Sequence, residues 1–96
     1  SLDPDNARAY LVRGAAHIIS AESISPEFLG GYNDLLMANK LFSGDVFCYF
    51  YLGAAYNKMD DKKSAAQAFE RFFKKATYDI DREVMEQAKY MYDKVK

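Results

Sequence analysis

Cysteine and long apolar runs are almost missing from this sequence of 96 residues. Its one cysteine, Cys48, cannot form an internal disulfide or supply the paired thiolates of a structural zinc site. A reducing compartment is the default for such a chain, so we predict a cytoplasmic location, with periplasm and organelles left open. No apolar run approaches the length of a membrane span, and no signal peptide is recognised at Ser1.

A strong charge of either sign is also missing. The formal net charge at pH 7 is −1. Nucleic acids and anionic membranes bind mainly to basic surfaces, because their phosphates must be neutralised. We therefore expect neither a nucleic acid nor a membrane as the partner.

Signatures of catalysis and of cofactor binding are the third absence. The single histidine, His17, has no acidic neighbour in sequence, which favours a packed ring over a general base or a ligand. Gly30 and Gly31 lack the Lys and Ser or Thr of a phosphate-binding loop. The acidic residues 79–86 lack the central glycine of a calcium loop, and a helix start explains them better. Cys48 stands among aromatic residues, which favours inert packing over a reactive thiol. We expect no enzyme activity, no cofactor and no metal.

Aromatic residues are abundant, with seven Phe and eight Tyr, and half of all residues are hydrophobic. This predicts one folded domain with a modest core. In residues 49–69, apolar and small residues recur three and four apart, stop, and recur again, which predicts two helices joined by a short turn. Asp60 can adopt the left-handed conformation of that turn, and Asp61 can cap the second helix. Gly53 and Ala65 are small enough to let the two helices approach closely.

This stretch resembles a tetratricopeptide repeat. The family pattern covers about 34 residues and runs from an aromatic residue through Leu-Gly, Tyr and Ala to Phe, with a Pro near the end. Phe72 stands where the family usually has a small residue and Thr77 where it usually has Pro, and both departures should loosen the end of the second helix. The positions that match are Tyr49, Leu52, Gly53, Tyr56, Ala65 and Phe69.

The resemblance implies an all-α fold. It would be a right-handed superhelical stack of antiparallel helix hairpins, with two repeats, a C-terminal capping helix and about five helices in all. Its single domain would cover residues 1–96. The parts of that domain would be residues 1–6 as the end of a preceding repeat or a cap, 7–45 as a repeat with about five inserted residues, 46–79 as the well-matched repeat, and 80–96 as the capping helix.

The first repeat matches the family less closely. Tyr10, Gly14 and His17 take the aromatic, glycine and tyrosine places, whereas Arg13 replaces the leucine. Gly31 falls at the place of the small alanine. The inserted residues belong in the turn at 21–25.

Capping residues predict the helix boundaries. Asp5 or Asn6 can cap the first helix, and Ser25 followed by Pro26 is a strong start for the second. The second helix could instead begin at Tyr32, since each glycine inside a helix costs about 1 kcal/mol relative to alanine. We favour the longer helix, because a glycine at a contact position has a packing reason. At its end, Gly44 offers a left-handed helix stop and Asp45 a cap for the third helix.

The resemblance also implies a concave groove lined by the first helix of each repeat. The groove positions that it predicts are Arg8, Leu11, Ala15, Ile18, Phe47, Phe50, Ala54, Asn57, Lys58 and, from the capping helix, Lys89; Ile19, Arg82 and Met85 complete the set. Family members that hold the acidic C-terminus of a chaperone use Lys, Asn and Arg at places that are apolar here, including Val12 and Tyr51. That cationic clamp is therefore not expected.

These observations predict a protein–protein interaction scaffold that binds a peptide or a helix in an apolar concave groove, as part of a larger repeat array. The alternative is a module for homo-oligomerisation or assembly, with no separate peptide ligand. Among the groove positions, Leu11, Ile18, Phe47 and Phe50 would form an apolar strip. A further alternative is that neighbouring helices cover this apolar strip as ordinary core. The groove hypothesis predicts that Phe50→Lys abolishes partner capture with helix content unchanged.

Overall fold

The computed structural model describes residues 6–76 and 80–96. Within those residues the chain forms five α-helices and no strand, which confirms the all-α prediction. The predicted end of a preceding repeat at Pro4 and the departure at Thr77 lie outside the described residues. The helices are α1 (Ala7–Ser20), α2 (Pro26–Leu41), α3 (Val46–Lys58), α4 (Lys62–Lys75) and α5 (Arg82–Val95).

The helices pack as a stack of antiparallel hairpins. The closest pairs are α1 with α2 and α3 with α4, and we call them the first and the second hairpin. Helix α3 also contacts α1 and α2, and α5 packs on α4 and touches α3. Helix α3 is therefore the central element. None of the helices in the described ranges has both the length and the apolar character needed to cross a membrane.

A polar side chain caps the start of every helix by accepting a hydrogen bond from a backbone amide of the first turn. The predicted caps Asn6, Ser25, Asp45 and Asp61 are confirmed. The cap contacts are Asn6 with Ala9 (3.0 Å), Ser25 with Phe28 (3.2 Å), Asp45 with Phe47 (3.0 Å), Asp61 with Ser64 (3.1 Å) and Asp81 with Glu83 (2.8 Å). Each cap satisfies an amide that has no partner within its own helix.

The two predicted turn conformations have different outcomes. Asp60 has φ of 59°, so the left-handed turn between α3 and α4 is confirmed. Gly44 was the expected left-handed stop, but that prediction is wrong, since none of the glycines has a positive φ. A Cβ atom at Gly44 would lie 2.9 Å from the Phe42 ring. The ring of Phe42, which is itself largely exposed, therefore lies against this glycine.

In the first hairpin, the backbones of α1 and α2 come into contact. Helix α2 begins at Pro26, so the longer helix is confirmed. A Cβ atom added to Gly14 would lie 2.7 Å from the carbonyl oxygen of Gly31, and one added to Gly31 would lie 2.7 Å from Cβ of His17. Both glycines are needed for this approach.

The second hairpin encloses aromatic rings. A Cβ atom added to Gly53 would lie 2.6 Å from two ring atoms of Phe69, so the space at this glycine is used by a ring. Phe72 is fully buried, and its ring centroid lies 5.6 Å from that of Phe50. The expectation that Phe72 loosens the end of α4 is wrong, because the ring fills the core and the helix continues to Lys75.

Arg13, which replaces the family leucine, forms a two-pronged ion pair across the first hairpin. Its Nε and Nη2 atoms donate to the two carboxylate oxygens of Asp34 at 2.7 and 2.8 Å. The hydrogen bond to Asp34 raises the pKa of Arg13. Asp34 is buried, with 7% of its surface exposed. The guanidinium is therefore what allows a carboxylate at this depth.

Candidate functional site

Two neighbouring cavities lie beside α3: a main pocket between α1, α3 and α5, and a side pocket between α1 and α3. The main pocket has a volume of about 370 Å³ and is lined by Ile18, Ile19, Phe50, Tyr51, Ala54, Lys58, Gln87, Tyr90 and Met91. The side pocket has a volume of about 250 Å³ and is lined by Arg8, Leu11, Val12, Ala15, Phe47 and Tyr51. Tyr51 belongs to both, so the two cavities form one continuous surface, which we call the groove.

Nine of the thirteen predicted groove residues lie at these cavities. Arg8, Leu11, Ala15 and Phe47 line the side pocket, and the main pocket is lined by Ile18, Ile19, Phe50, Ala54 and Lys58. The other four, Asn57, Arg82, Met85 and Lys89, line neither. Helix α5 contributes Gln87, Tyr90 and Met91, because its buried Ala88 faces the core and turns Lys89 away from the cavity.

Several of the predicted residues form the floor of the groove and offer little surface to a partner. Leu11 and Ile18 are buried, and Ile18 has no exposed surface. Phe50 is 6% exposed and lies beside the rings of Tyr51 and Phe72, at centroid distances of 5.1 and 5.6 Å. The alternative that neighbouring helices cover the apolar strip therefore holds for these three side chains. Phe50→Lys would bury a charge, so unchanged helix content is no longer the expected result.

The exposed apolar surface of the groove comes from the predicted Ile19 and from two residues that were not predicted to line it, Val12 and Tyr90. Val12, Ile19 and Tyr90 are 58%, 63% and 63% exposed, and each lines one of the two cavities. Val12 and Ile19 are two turns apart on α1 and so lie on one face. Sequence reasoning missed Tyr90. Its signal is the spacing of Gln87, Tyr90 and Met91, which places them on a single face of α5.

Lys58 joins the two hairpins at the end of the main pocket. Its Nζ atom donates to the carbonyl oxygens of Ile18 at 2.6 Å and Ala21 at 3.0 Å, with that of Ile19 at 3.5 Å. The last carbonyls of a helix have no partner within the helix, and an ammonium has three N–H donors. Lys58 therefore caps α1 from α3, and its charge is already engaged.

The other cation at the groove is engaged as well. Nη1 of Arg8 lies 3.5 Å from a carboxylate oxygen of Asp45, the residue that caps α3. This ion pair joins the start of α1 to the start of α3. It also leaves the side pocket without a free positive charge.

On α5, the lining of the main pocket continues into an acidic surface. Gln87 and Tyr90 line both the main pocket and a shallow cavity of about 310 Å³, whose other lining residues are Glu83 and Glu86. No ion pair within the described ranges, 6–76 and 80–96, involves either glutamate. Nζ of Lys94 lies 4.3 Å from the centroid of the Tyr90 ring.

Two titratable groups behind the groove are held in their neutral forms. Burial raises the pKa of Cys48 to about 11. Burial, together with a hydrogen bond of 3.1 Å to Tyr32, raises the pKa of Tyr56 to about 12. A thiol that stays protonated at neutral pH is a poor nucleophile. The Tyr32–Tyr56 contact joins α2 to α3 away from the groove.

The described part of the chain contains no group of three His, Cys, Asp or Glu side chains that could hold a metal ion. Comparison of the sequence with protein-family models, with curated proteins and with solved structures finds no match. The resemblance to tetratricopeptide repeats therefore depends on the sequence pattern alone, and the groove is the feature from which a function can be argued.

Proposed function

We propose that this chain is a tetratricopeptide-like scaffold whose groove binds a peptide or a helix of a partner protein. The observation that carries the proposal is the exposure of apolar residues at two adjoining open cavities: Ile19 and Tyr90 at the main pocket of about 370 Å³, and Val12 at the side pocket of about 250 Å³. Apolar side chains gathered at a concave surface are typical of sites where another chain binds.

The exposed apolar side chains of the groove supply part of the free energy that a specific contact of moderate strength needs. Fully burying one side chain of this size is worth about 1.5–3 kcal/mol relative to leaving it exposed. Val12, Ile19 and Tyr90 are already partly buried in the free chain. A partner therefore gains only the free energy of burying the surface that is still exposed at each position. A micromolar dissociation constant corresponds to about 8 kcal/mol, and other contacts along the groove must supply part of it.

The spacing of the exposed residues fits both forms of ligand. Val12 and Ile19 are seven residues apart, which is about 10 Å along a helix. A partner helix spans that distance with apolar residues two turns apart, and an extended peptide spans it in about three residues. The two pockets on either side of Tyr51 would each receive one apolar side chain of the ligand.

The alternative function is assembly through copies of the same chain. The exposed apolar positions that would bind a ligand could equally bind a second copy of the chain. Removing an apolar patch from water is favourable whichever molecule covers it. Solution mass by light scattering over a wide concentration range separates the two. A monomer of about 11.0 kDa at all concentrations leaves the groove free.

Ile19→Lys is the variant that tests the proposal, because Ile19 is mostly exposed and its replacement leaves the buried floor intact. Leu29→Lys is the matched control: Leu29 is an exposed apolar residue on α2 and lines neither pocket. Peptides of 12 residues would be selected from a randomised library on the unmodified chain. We expect Ile19→Lys to weaken the binding of the selected peptides at least tenfold and Leu29→Lys to leave their binding unchanged. Equal binding by both variants would show that the groove is not the binding site.

A further inference from the structure

We infer that the partner segment is basic: an apolar ligand with Lys or Arg beside its anchoring residues, held over Glu83 and Glu86. This inference depends on the proposed function, since it concerns the ligand of the same groove. The reason is that some charged side chains at the groove already have partners within the chain, whereas others do not.

The two cations of the groove already have partners within the chain. Lys58 donates to the carbonyl oxygens that end α1, and Arg8 is paired with Asp45. An acidic ligand would have to compete with those contacts and would leave Asp45 without its cation or the α1 carbonyls without a donor. Such unpaired polar groups oppose binding.

The two acids next to the groove are available. Glu83 and Glu86 are exposed, and none of the ion pairs in residues 6–76 and 80–96 includes them. Residues 83, 87 and 90 are four and then three positions apart, so they form one stripe along α5. The acidic end of this stripe continues into Gln87 and Tyr90, which line the main pocket.

Other charges on α5 do not cancel this pattern at the groove. Arg82 and Lys89 are exposed but line neither the main pocket nor the shallow cavity. Lys94 lies over the ring of Tyr90, at the far end of the stripe from Glu83. Apart from Lys58, whose ammonium is held by the carbonyl oxygens that end α1, the charges that line the main pocket and the shallow cavity are therefore the negative ones of Glu83 and Glu86. Charge complementarity of this kind selects and orients a partner more than it adds affinity.

A set of three synthetic peptides tests the inference. Each would be a fluorescein-labelled helix of 14 residues with Leu and Phe two turns apart, followed by three Lys, three Ser or three Glu. Dissociation constants would be measured by fluorescence anisotropy at low and at physiological salt. We expect the Lys peptide to bind about three to ten times more tightly than the Ser peptide, the Glu peptide to bind least, and the differences to shrink as salt rises.

The double variant Glu83→Gln, Glu86→Gln should remove the preference for the Lys peptide and leave the Ser peptide unchanged. Its matched control is Glu22→Gln, Glu27→Gln, which makes the same change in net charge at two exposed acids that line none of the three cavities. This control should keep the preference.

The outcomes separate the inference from the proposed function. Equal binding of the Lys and Ser peptides, or a Lys preference that survives the double variant, overturns the basic ligand and leaves the groove as the binding site. Failure of all three peptides to bind overturns both. A chain that self-associates, and that becomes monomeric with Ile19→Lys, has a second copy in the groove, which also overturns the inference.

Discussion

The two hairpins close by different means, although each has a glycine near the middle of its first helix. In the first hairpin, Gly14 lies against the backbone of α2, and a Cβ atom there would be 2.7 Å from the Gly31 carbonyl oxygen. In the second, Gly53 lies against the Phe69 ring, and a Cβ atom added to Gly53 would be 2.6 Å from the nearest ring atoms. One position of the repeat pattern thus has two physical roles, backbone contact and accommodation of a ring.

The difference predicts which changes each hairpin tolerates. A backbone cannot move aside without displacing its helix, so the first hairpin depends on residues without side chains. The second depends on ring volume, since Phe69 and Phe72 are fully buried and meet the ring of Phe50. The first hairpin also carries the buried Asp34 with Arg13, whereas the second is joined to α5 by an exposed hydrogen bond from Tyr92 to Glu70.

The largest effect is expected for Phe69→Ala, which removes the ring that the second hairpin encloses. Truncation of a fully buried Phe costs about 3–5 kcal/mol in the free energy of unfolding. Urea unfolding followed by circular dichroism measures it. Gly53→Ala should be destabilising in the native background and much less so beside Phe69→Ala, because the ring atoms it would meet are gone. Additive effects of the two changes would show that the ring does not use the glycine.

A smaller effect is expected for Gly14→Ala in the first hairpin. The added Cβ atom would meet a backbone oxygen, and overpacking of this kind costs about 1–3 kcal/mol, partly offset by the helix preference of alanine. Gly30→Ala is the matched control within the same hairpin, because a Cβ atom there would meet nothing within 4 Å. It should stabilise the chain by up to about 1 kcal/mol. Thermal unfolding compares the two, and equal shifts in the same direction would contradict the backbone contact.

The smallest effect is expected for Lys58→Met, which acts between the hairpins. The change removes the donors to the carbonyl oxygens of Ile18 and Ala21 and keeps an apolar side chain of similar length. We expect a loss of about 1 kcal/mol. Hydrogen exchange should show faster opening of the last turn of α1, with the second hairpin unaffected. Lys63→Met, at an exposed position of α4, is the control. If the last turn of α1 is equally protected from exchange in the Lys58→Met and Lys63→Met variants, Lys58 does not hold α1.

Local sequence signals predicted most of the helix boundaries. A cap such as Ser25 or Asp61 acts on amides two or three positions away, so the residues that decide a helix start are adjacent in sequence. The same locality explains the success at Asp60. The failure at Gly44 is local as well: its φ is not positive, and the ring of the exposed Phe42, two positions earlier, lies against it.

The position of the groove could be predicted from the sequence, but which of its residues stay exposed could not. The repeat pattern indicates which face of α1 and α3 a residue occupies, and nine predicted residues lie at the two pockets. It does not indicate how deeply a neighbouring helix covers that face. Phe50 is buried by α4, whereas Ile19 and Tyr90 stay open, and this depends on how α5 packs.

The sequence by itself determined that the chain is all-α and where most helices begin, because hydrophobic periodicity and capping act over a few residues. The resemblance to a repeat family implied which faces of α1 and α3 would line a groove. Only the tertiary structure decided which groups the charged side chains contact. Arg13 is 21 positions from Asp34, and Lys58 is 40 from Ile18. Contacts across such separations depend on how helices pack, and that packing engages both groove cations within the chain while leaving Glu83 and Glu86 exposed.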